Sequence, residues 1–224
     1  MDIKNTYDNE ATIYEQTSRQ VNIHYDEALS AMINLMPKCA SNILDVFSGT
    51  GILTELVYKK YPNAKISCVD FSSGMLEVAK QRFVGDVSFY NYDLLDRRNL
   101  SSIKDRFDLV VSSFGIHNIH TKNKKLEAMK NIADLMESGA LYINCDYIKG
   151  ANKQEEISFY ETRSNHLMKS FDEKETKEWI KLLDEEDDQE TWLNNKDILE
   201  MAGFKNVKLL WQKDYIAIWS AVKE

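Results

Sequence analysis

The residues with chemical potential begin at Asp45. This carboxylate closes the apolar run Ile43-Leu44-Asp45-Val46 and is followed by Phe47-Ser48-Gly49-Thr50-Gly51, a small-residue turn. Ile52, Leu53, Leu56 and Val57 then recur at helical spacing, so the stretch reads strand, tight turn, helix. Such a turn suits a nucleotide: Gly49 and Gly51 let a ligand lie against bare main chain, and the helix start presents N–H groups with no intrahelical partner. A second carboxylate, Asp70, ends the β run Lys65-Ile66-Ser67-Cys68-Val69, 25 positions after Asp45. That is close to the offset at which nucleotide-binding α/β folds place the acid that holds ribose hydroxyls. An ordinary strand-to-helix turn would explain the first segment but not the pair.

The loop also says which nucleotide. A dinucleotide loop wants glycine at its first, third and sixth places, whereas the sixth place is Ile52 counting from Phe47 and Thr54 counting from Gly49. A phosphate-cradling P-loop wants a lysine after its glycines, and none follows Gly51. A ligand with adenosine and no phosphate remains.

These residues resemble the class I S-adenosylmethionine-dependent methyltransferases. The family's first motif runs Asp-x-Gly-x-Gly-x-Gly, and Asp45-Val46-Phe47-Ser48-Gly49-Thr50-Gly51 is similar to it, with Phe47 in place of the first glycine. Asp70 stands where the family has the acid of its second strand, and Phe71-Ser72-Ser73-Gly74-Met75 looks like the usual entry to the next helix. Val87–Asp93 resembles the third strand with its adenine-contacting acid, Phe107–Ser113 the fourth, and Ala202-Gly203-Phe204 the step before the last strands. The resemblance covers about residues 40–147 well and 195–223 moderately, and it rests on the order and spacing of the motifs more than on any one of them.

The resemblance implies a Rossmann-like α/β fold: a seven-stranded sheet, mostly parallel with an antiparallel last strand, helices on both faces, and a helical cap. It implies S-adenosyl-L-methionine as cofactor, with S-adenosyl-L-homocysteine as product. The implied cofactor-binding residues are Asp45, Phe47, Ser48, Gly49, Thr50 and Gly51, then Asp70, Phe71 and Met75, then Asp93, Leu94, Ser112 and Ser113. The N-terminal extension of related enzymes lies over the methionine end, which adds Tyr14 and Arg19, the arginine as a partner for the methionine carboxylate. A solvated arginine is the alternative. His117, just after the fourth strand, is the candidate catalytic base if the acceptor is a hydroxyl or an acidic carbon; cofactor contact or plain packing is the alternative. His24, His120 and His166 have weaker claims.

The elements that must position these residues follow from periodicity. Strands are expected at 42–47, 65–70, 87–92, 107–113 and 139–147, with helices near 50–60, 73–82 and 122–136. Near-continuous apolar strands alternating with helices mean a parallel sheet covered on both faces. Asn63 and Gly139 mark turns, and 93–106 reads as a loop with at most one short helix. Two helices ended by Pro37 precede the sheet, and Val207–Trp211 and Tyr215–Trp219 flank Gln212-Lys213-Asp214 as a hairpin. The whole reads as one methyltransferase domain over 1–224: N-terminal helices 1–37, cofactor-binding core 38–150, helical cap insertion 151–194, and last helix with terminal hairpin 195–224. The acid run Asp184-Glu185-Glu186-Asp187-Asp188 is expected to be a solvated helix end, because consecutive acids on a helix point in different directions.

Composition narrows the partners. At 224 residues, with 43% hydrophobic content, the chain is long and apolar enough for one large folded domain. A net charge of −8 disfavours nucleic acid, whose binders gain affinity from clustered Lys and Arg, and favours a small-molecule methyl acceptor. Cys39, Cys68 and Cys145 form no CxxC pair, so a disulfide framework and a structural zinc are not expected; no metal site is expected elsewhere. There is no apolar signal core and no run near the ~18 residues of a membrane span, so a cytoplasmic protein is expected. A homodimer is left open. The rival functions are a non-catalytic cofactor-binding regulator and an RNA nucleoside methyltransferase.

Overall fold

The computed structural model describes residues 7–8, 11–83, 85 and 87–224; the start of the N-terminal extension, 1–6, lies outside them. Tyr7 and Asp8 are helical, and α1 (Tyr14–Val21) and α2 (Tyr25–Leu35) follow. Helix α2 ends where Met36 turns extended, as the residue before a proline prefers. Alternation then runs β1 (Asn42–Val46), α3 (Ile52–Lys60), β2 (Lys65–Asp70), α4 (Ser73–Arg82), β3 (Val87–Asn91), α5 (Arg97–Leu100), β4 (Phe107–Ser113), α6 (Lys122–Leu135) and β5 (Met136–Tyr147). The insertion supplies α7 (Lys153–Leu167) and α8 (Glu173–Glu186), after which α9 (Trp192–Met201), β6 (Phe204–Lys213) and β7 (Ile216–Lys223) close the chain. Polar side chains start most of these helices: Ser72, Asp96, Thr121, Asn152, Asp172 and Thr191 each accept from a first-turn N–H.

The seven strands form one sheet in the order β3-β2-β1-β4-β5-β7-β6. Strands β1 to β5 pair in parallel, and β7 is antiparallel to both its neighbours, so it alone runs against the rest. This is the expected Rossmann-like sheet. Residues 43–46 of β1 are all buried, since helices cover both faces: Ile43 joins a core with α2 and α3, while Leu44 and Val46 join one with α6 and α9. A smaller cluster of Val21, Leu167 and Ile180 joins α1 to α7 and α8.

Two boundaries differ from the sequence reading. Strand β5 begins at Met136, directly after α6, and Gly139 lies inside it at φ 81, where the register with β4 shifts. Its left-handed backbone accommodates a bulge rather than a turn. The final hairpin turns at Asp214 (φ 49) and Tyr215, so both of its strands are longer than expected. Cys68 and Cys145 are buried core residues and Cys39 is exposed; all three are free. No helix among the described residues is long and apolar enough to cross a membrane.

Candidate functional site

The chain leaves β1 toward β2 and β3 on one side, and β4 and β5 fill the other, so the connections from β1 and β4 diverge and leave a crevice at the strand ends. A cavity of about 270 Å³ occupies it. Phe47, Ser48, Gly49 and Thr50 line it from the turn after β1, and Asp70 and Phe71 from the end of β2. Met75 of α4, Asp93 after β3, Ser113 at the end of β4 and Tyr14 of α1 complete the expected residues found there. Gly49 (φ 52) has open space where a Cβ would be, leaving its backbone approachable from the cavity.

Asp70 organises this crevice. Its Oδ2 accepts from Gly49 N at 2.8 Å and its Oδ1 from Ser72 N at 2.9 Å, so one carboxylate holds both the glycine turn and the start of α4. Burial pushes its carboxyl up to about 6, against the pull of those backbone donors. Phe47, at the family's glycine position, has φ 56 and keeps that conformation because its ring has a slot: a Cβ built on Gly115 would fall 2.3 Å from Phe47 Cβ. The bare Gly115 makes room for the side chain that the usual glycine would lack.

The N-terminal extension closes over the crevice at three points. Tyr7 lines the cavity and donates its hydroxyl to Asn118 Oδ1 at 3.0 Å. Asp8 Oδ1 accepts from Ser72 Oγ and Gly74 N, both at 2.7 Å, with its main chain so near that a Cβ on Gly74 would fall 2.6 Å from the Asp8 carbonyl oxygen. Glu15 accepts from Thr50 Oγ1 at 3.1 Å and pairs with Arg82, which also donates to Thr50 O at 2.7 Å.

Beside the cavity lies a buried charged group. His117 Nδ1 sits 2.5 Å from Asp146 Oδ1, and Nε2 sits 3.7 Å from Asp187 Oδ1 and 3.1 Å from the Asn118 amide nitrogen. Burial alone would lower the imidazole pKa, but the Asp146 and Asp187 carboxylates outweigh it and hold it above its usual value. The acid run is therefore not simply a solvated helix end. Helix α8 stops at Glu186 and the chain turns extended at Asp187, whose side chain is only 7% exposed against His117. Asp188 accepts from Thr121 N at 2.5 Å, and the buried Lys125 ammonium bonds the Asp188 carbonyl, which anchors the turn to α6. Among the described residues no group of three or more His, Cys, Asp or Glu is placed to hold a metal ion.

Six expected site residues do not line the cavity. Arg19 is paired instead with Glu15 at 3.6 Å and Asp26 at 3.1 Å, half in solvent, so its charge is already met on its own side of α1. Asp45 is wholly buried beneath the turn, taking a 2.6 Å bond from Thr54, and burial pushes its carboxyl up to about 7. Gly51 (φ 82) serves the turn, its missing Cβ leaving space for Phe83 and Ala79. Leu94 is buried in the core and its neighbour Leu95 faces the cavity; likewise Ser112 is buried and Ser113 faces it. His117 lies one residue behind Asn118, which does face it.

The sequence reading missed Tyr7, Tyr25, Phe114, Asn118 and Lys124, all in the cavity wall. Tyr25 stacks on Phe114 with ring centroids 5.0 Å apart. The recurrence of tyrosine at 7, 14 and 25 in an otherwise polar N-terminal stretch was the available signal. His120 also lines the cavity, whereas His166 faces the Gln20 carbonyl at 2.9 Å on the surface.

Residues 43–139 match the family model described as a methyltransferase domain. The chain is similar to the malonyl-[acyl-carrier protein] O-methyltransferase of Priestia megaterium, 41% identical over 88 residues, which is 38% of this chain and 31% of that protein. It is also similar to the demethylmenaquinone methyltransferase of Chlamydia pneumoniae, 27% identical over 143 residues, 63% of this chain and 60% of that protein. Human N-acetylserotonin methyltransferase, solved in complex with SAM, shares the fold with a TM-score of 0.65 at 14% identity, over 98% of this chain and 56% of its own. The chain thus spans between about a third and three fifths of the length of these relatives.

Proposed function

We propose that this chain, which by its methyltransferase domain and its fold belongs with the class I S-adenosylmethionine-dependent methyltransferases, transfers a methyl group from that cofactor directly to a small-molecule acceptor. The observation that carries the reading is Asp70: a buried carboxylate at the β2 strand end that lines the crevice, held by the Gly49 and Ser72 backbone N–H groups with acceptor capacity left over. That remaining capacity suits vicinal ribose hydroxyls. The Gly49 turn suits close contact with a phosphate-free nucleoside, and Asp93 with Leu95 and Phe71 suits an adenine ring. Tyr14 and Tyr7 would cover the remainder, with Arg19 too well neutralised to act as the carboxylate partner.

S-adenosylmethionine, when bound, would supply an activated methyl on a sulfonium that leaves as a neutral thioether with the electron pair of the broken bond. The protein's share is alignment and exclusion of water, with a base for acceptors that must lose a proton. His117 is suited to be that base, because the Asp146 carboxylate accepts the hydrogen bond from Nδ1–H and leaves Nε2 as the basic atom of the neutral ring. The acidic chain and the names of the relatives favour a small acceptor over RNA.

Calorimetry with S-adenosylhomocysteine and with NAD tests the reading. The sulfur ligand should bind and NAD should not; the reverse result would sink it. Radiolabelled methyl transfer into the small-molecule and RNA fractions of a lysate then separates the acceptor classes, and label in neither would favour a binding protein without catalysis.

A further inference from the structure

A second and larger cavity, of about 610 Å³, lies between α7 and α8 on one side and the end of β5 with Tyr215 on the other. We propose that it holds the methyl acceptor, and that the acceptor carries a carboxylate or similar anion on a flat apolar body, with Arg163 as its ionic partner. This rests on the transferase reading above.

Position is the first argument. Asp187 lines this cavity and Asn118 lines the strand-end crevice, and the His117 Nε2 atom lies 3.7 Å from the one and 3.1 Å from the amide of the other. The basic nitrogen is therefore flanked by one wall residue of each cavity. A molecule filling the second cavity meets Asp187, the carboxylate that stands 3.7 Å from that nitrogen.

Wall chemistry is the second. Ile148, Phe159, Ile180 and Tyr215 offer apolar and aromatic surface, with Ile157 and Tyr160 at the outer edge, 42% and 50% exposed. Phe159 and Tyr215 meet edge to face at 6.3 Å, which makes one side of the cavity aromatic.

The third is Arg163. Its side chain is 10% exposed and its guanidinium lies 4.5 Å from the centre of the Tyr215 ring, yet its ion pair is a 3.8 Å contact with Asp184, which is itself 66% exposed. A guanidinium meets a carboxylate with two parallel bonds at about 2.7–2.9 Å when the site is complete. A buried cation facing a cavity with so loose a counter-charge is poised for an anion. Of the other charges in the wall, Lys149, Lys153, Glu156 and Glu161 are exposed and of both signs, and the one buried carboxylate, Asp187, already has the His117 ring as its partner at 3.7 Å.

The probes are 2-naphthoate and 2-naphthalenemethanol, which share their rings and differ in charge, titrated calorimetrically into the full chain with and without saturating S-adenosylhomocysteine. The carboxylate should bind about tenfold or more tightly than the alcohol. Arg163→Met should abolish that preference while S-adenosylhomocysteine affinity and Tm hold. Asp184→Asn, at a position 66% exposed, should tighten 2-naphthoate by about threefold by removing the competing carboxylate. Equal affinity for the two probes, a preference that survives Arg163→Met, 2-naphthoate unchanged or weakened by Asp184→Asn, or no 2-naphthoate binding by a chain that binds S-adenosylhomocysteine overturns the acceptor proposal alone. Failure to bind S-adenosylhomocysteine overturns the reading beneath it.

Discussion

His117 and Asp146 meet through Nδ1 and Oδ1 at 2.5 Å, both side chains almost wholly buried, and the same carboxylate's other oxygen accepts from the Ile116 main chain at 2.8 Å. The ring is thus fixed in tautomer and orientation by a residue of the adjacent strand end. Its Nε2 lies 3.1 Å from the Asn118 amide and 3.7 Å from Asp187, so protonation of the ring is favoured by two carboxylates against the cost of burial.

A base must be unprotonated to act, so kcat/KM should climb with pH through a pKa above the ordinary ~6.5. Asp187→Asn removes one of the two carboxylates and should move that limb to lower pH by roughly half to one unit. His117→Ala should lower kcat by about 10²- to 10⁴-fold. A limb that stays in place in Asp187→Asn would separate His117 from the rate.

Asp70→Ala should weaken S-adenosylhomocysteine binding by about 2–4 kcal/mol, roughly 30- to 1,000-fold. The variant should also unfold at lower temperature, because Gly49 and Ser72 lose their common acceptor. Since burial pushes the carboxyl up to about 6, wild-type affinity should decline below that pH. Asp70→Asn, which keeps one acceptor oxygen, should recover part of the stability and little of the affinity. Calorimetry across pH 5–8 on all three proteins would expose an affinity indifferent to both residue and pH.

Asp45 makes the ligand-free fold less stable as pH rises. Its folded pKa of about 7 lies above the ordinary ~3.9, so between these values the folded chain holds a proton that the unfolded chain has released. Stability should fall across that window, by at most about 1.4 kcal/mol per pH unit for one proton. Asp45→Asn should flatten the slope and be the more stable protein at pH 8. Urea unfolding midpoints at successive pH values measure it, and parallel slopes for the two proteins would refute it.

Gly115→Ala should cost about 1–3 kcal/mol through its collision with Phe47. In a Phe47→Gly background the same change should cost less than about 0.5 kcal/mol, since the slot is then empty. Denaturant unfolding of the two single variants and the double variant gives the coupling directly. Additive effects would mean that the two positions do not share the space.

Local sequence carried the scaffold of this protein. Apolar runs of strand length, helical periodicity between them and glycines at the first turn determine a parallel sheet with a crevice at its strand ends, because burial and backbone freedom act over a few residues. The spacing of Asp45 and Asp70 likewise put two acids at adjacent strand ends, and Phe107–Ser113 brought the fourth strand to the same edge.

Tertiary structure decided which of those residues face the crevice and what lies beside it. Ser113 faces it while Ser112 is buried, since a one-residue step in a strand reverses the side chain's direction, and the turn that Asp93 caps after β3 brings Leu95 to it while Leu94 is buried. Arg19 was settled by Glu15 and Asp26, and Asp187 by a turn that Lys125 and Thr121 anchor through Asp188 from 63 and 67 positions away. Charge pairing follows distance in space, and no period along the chain encodes the packing that sets it.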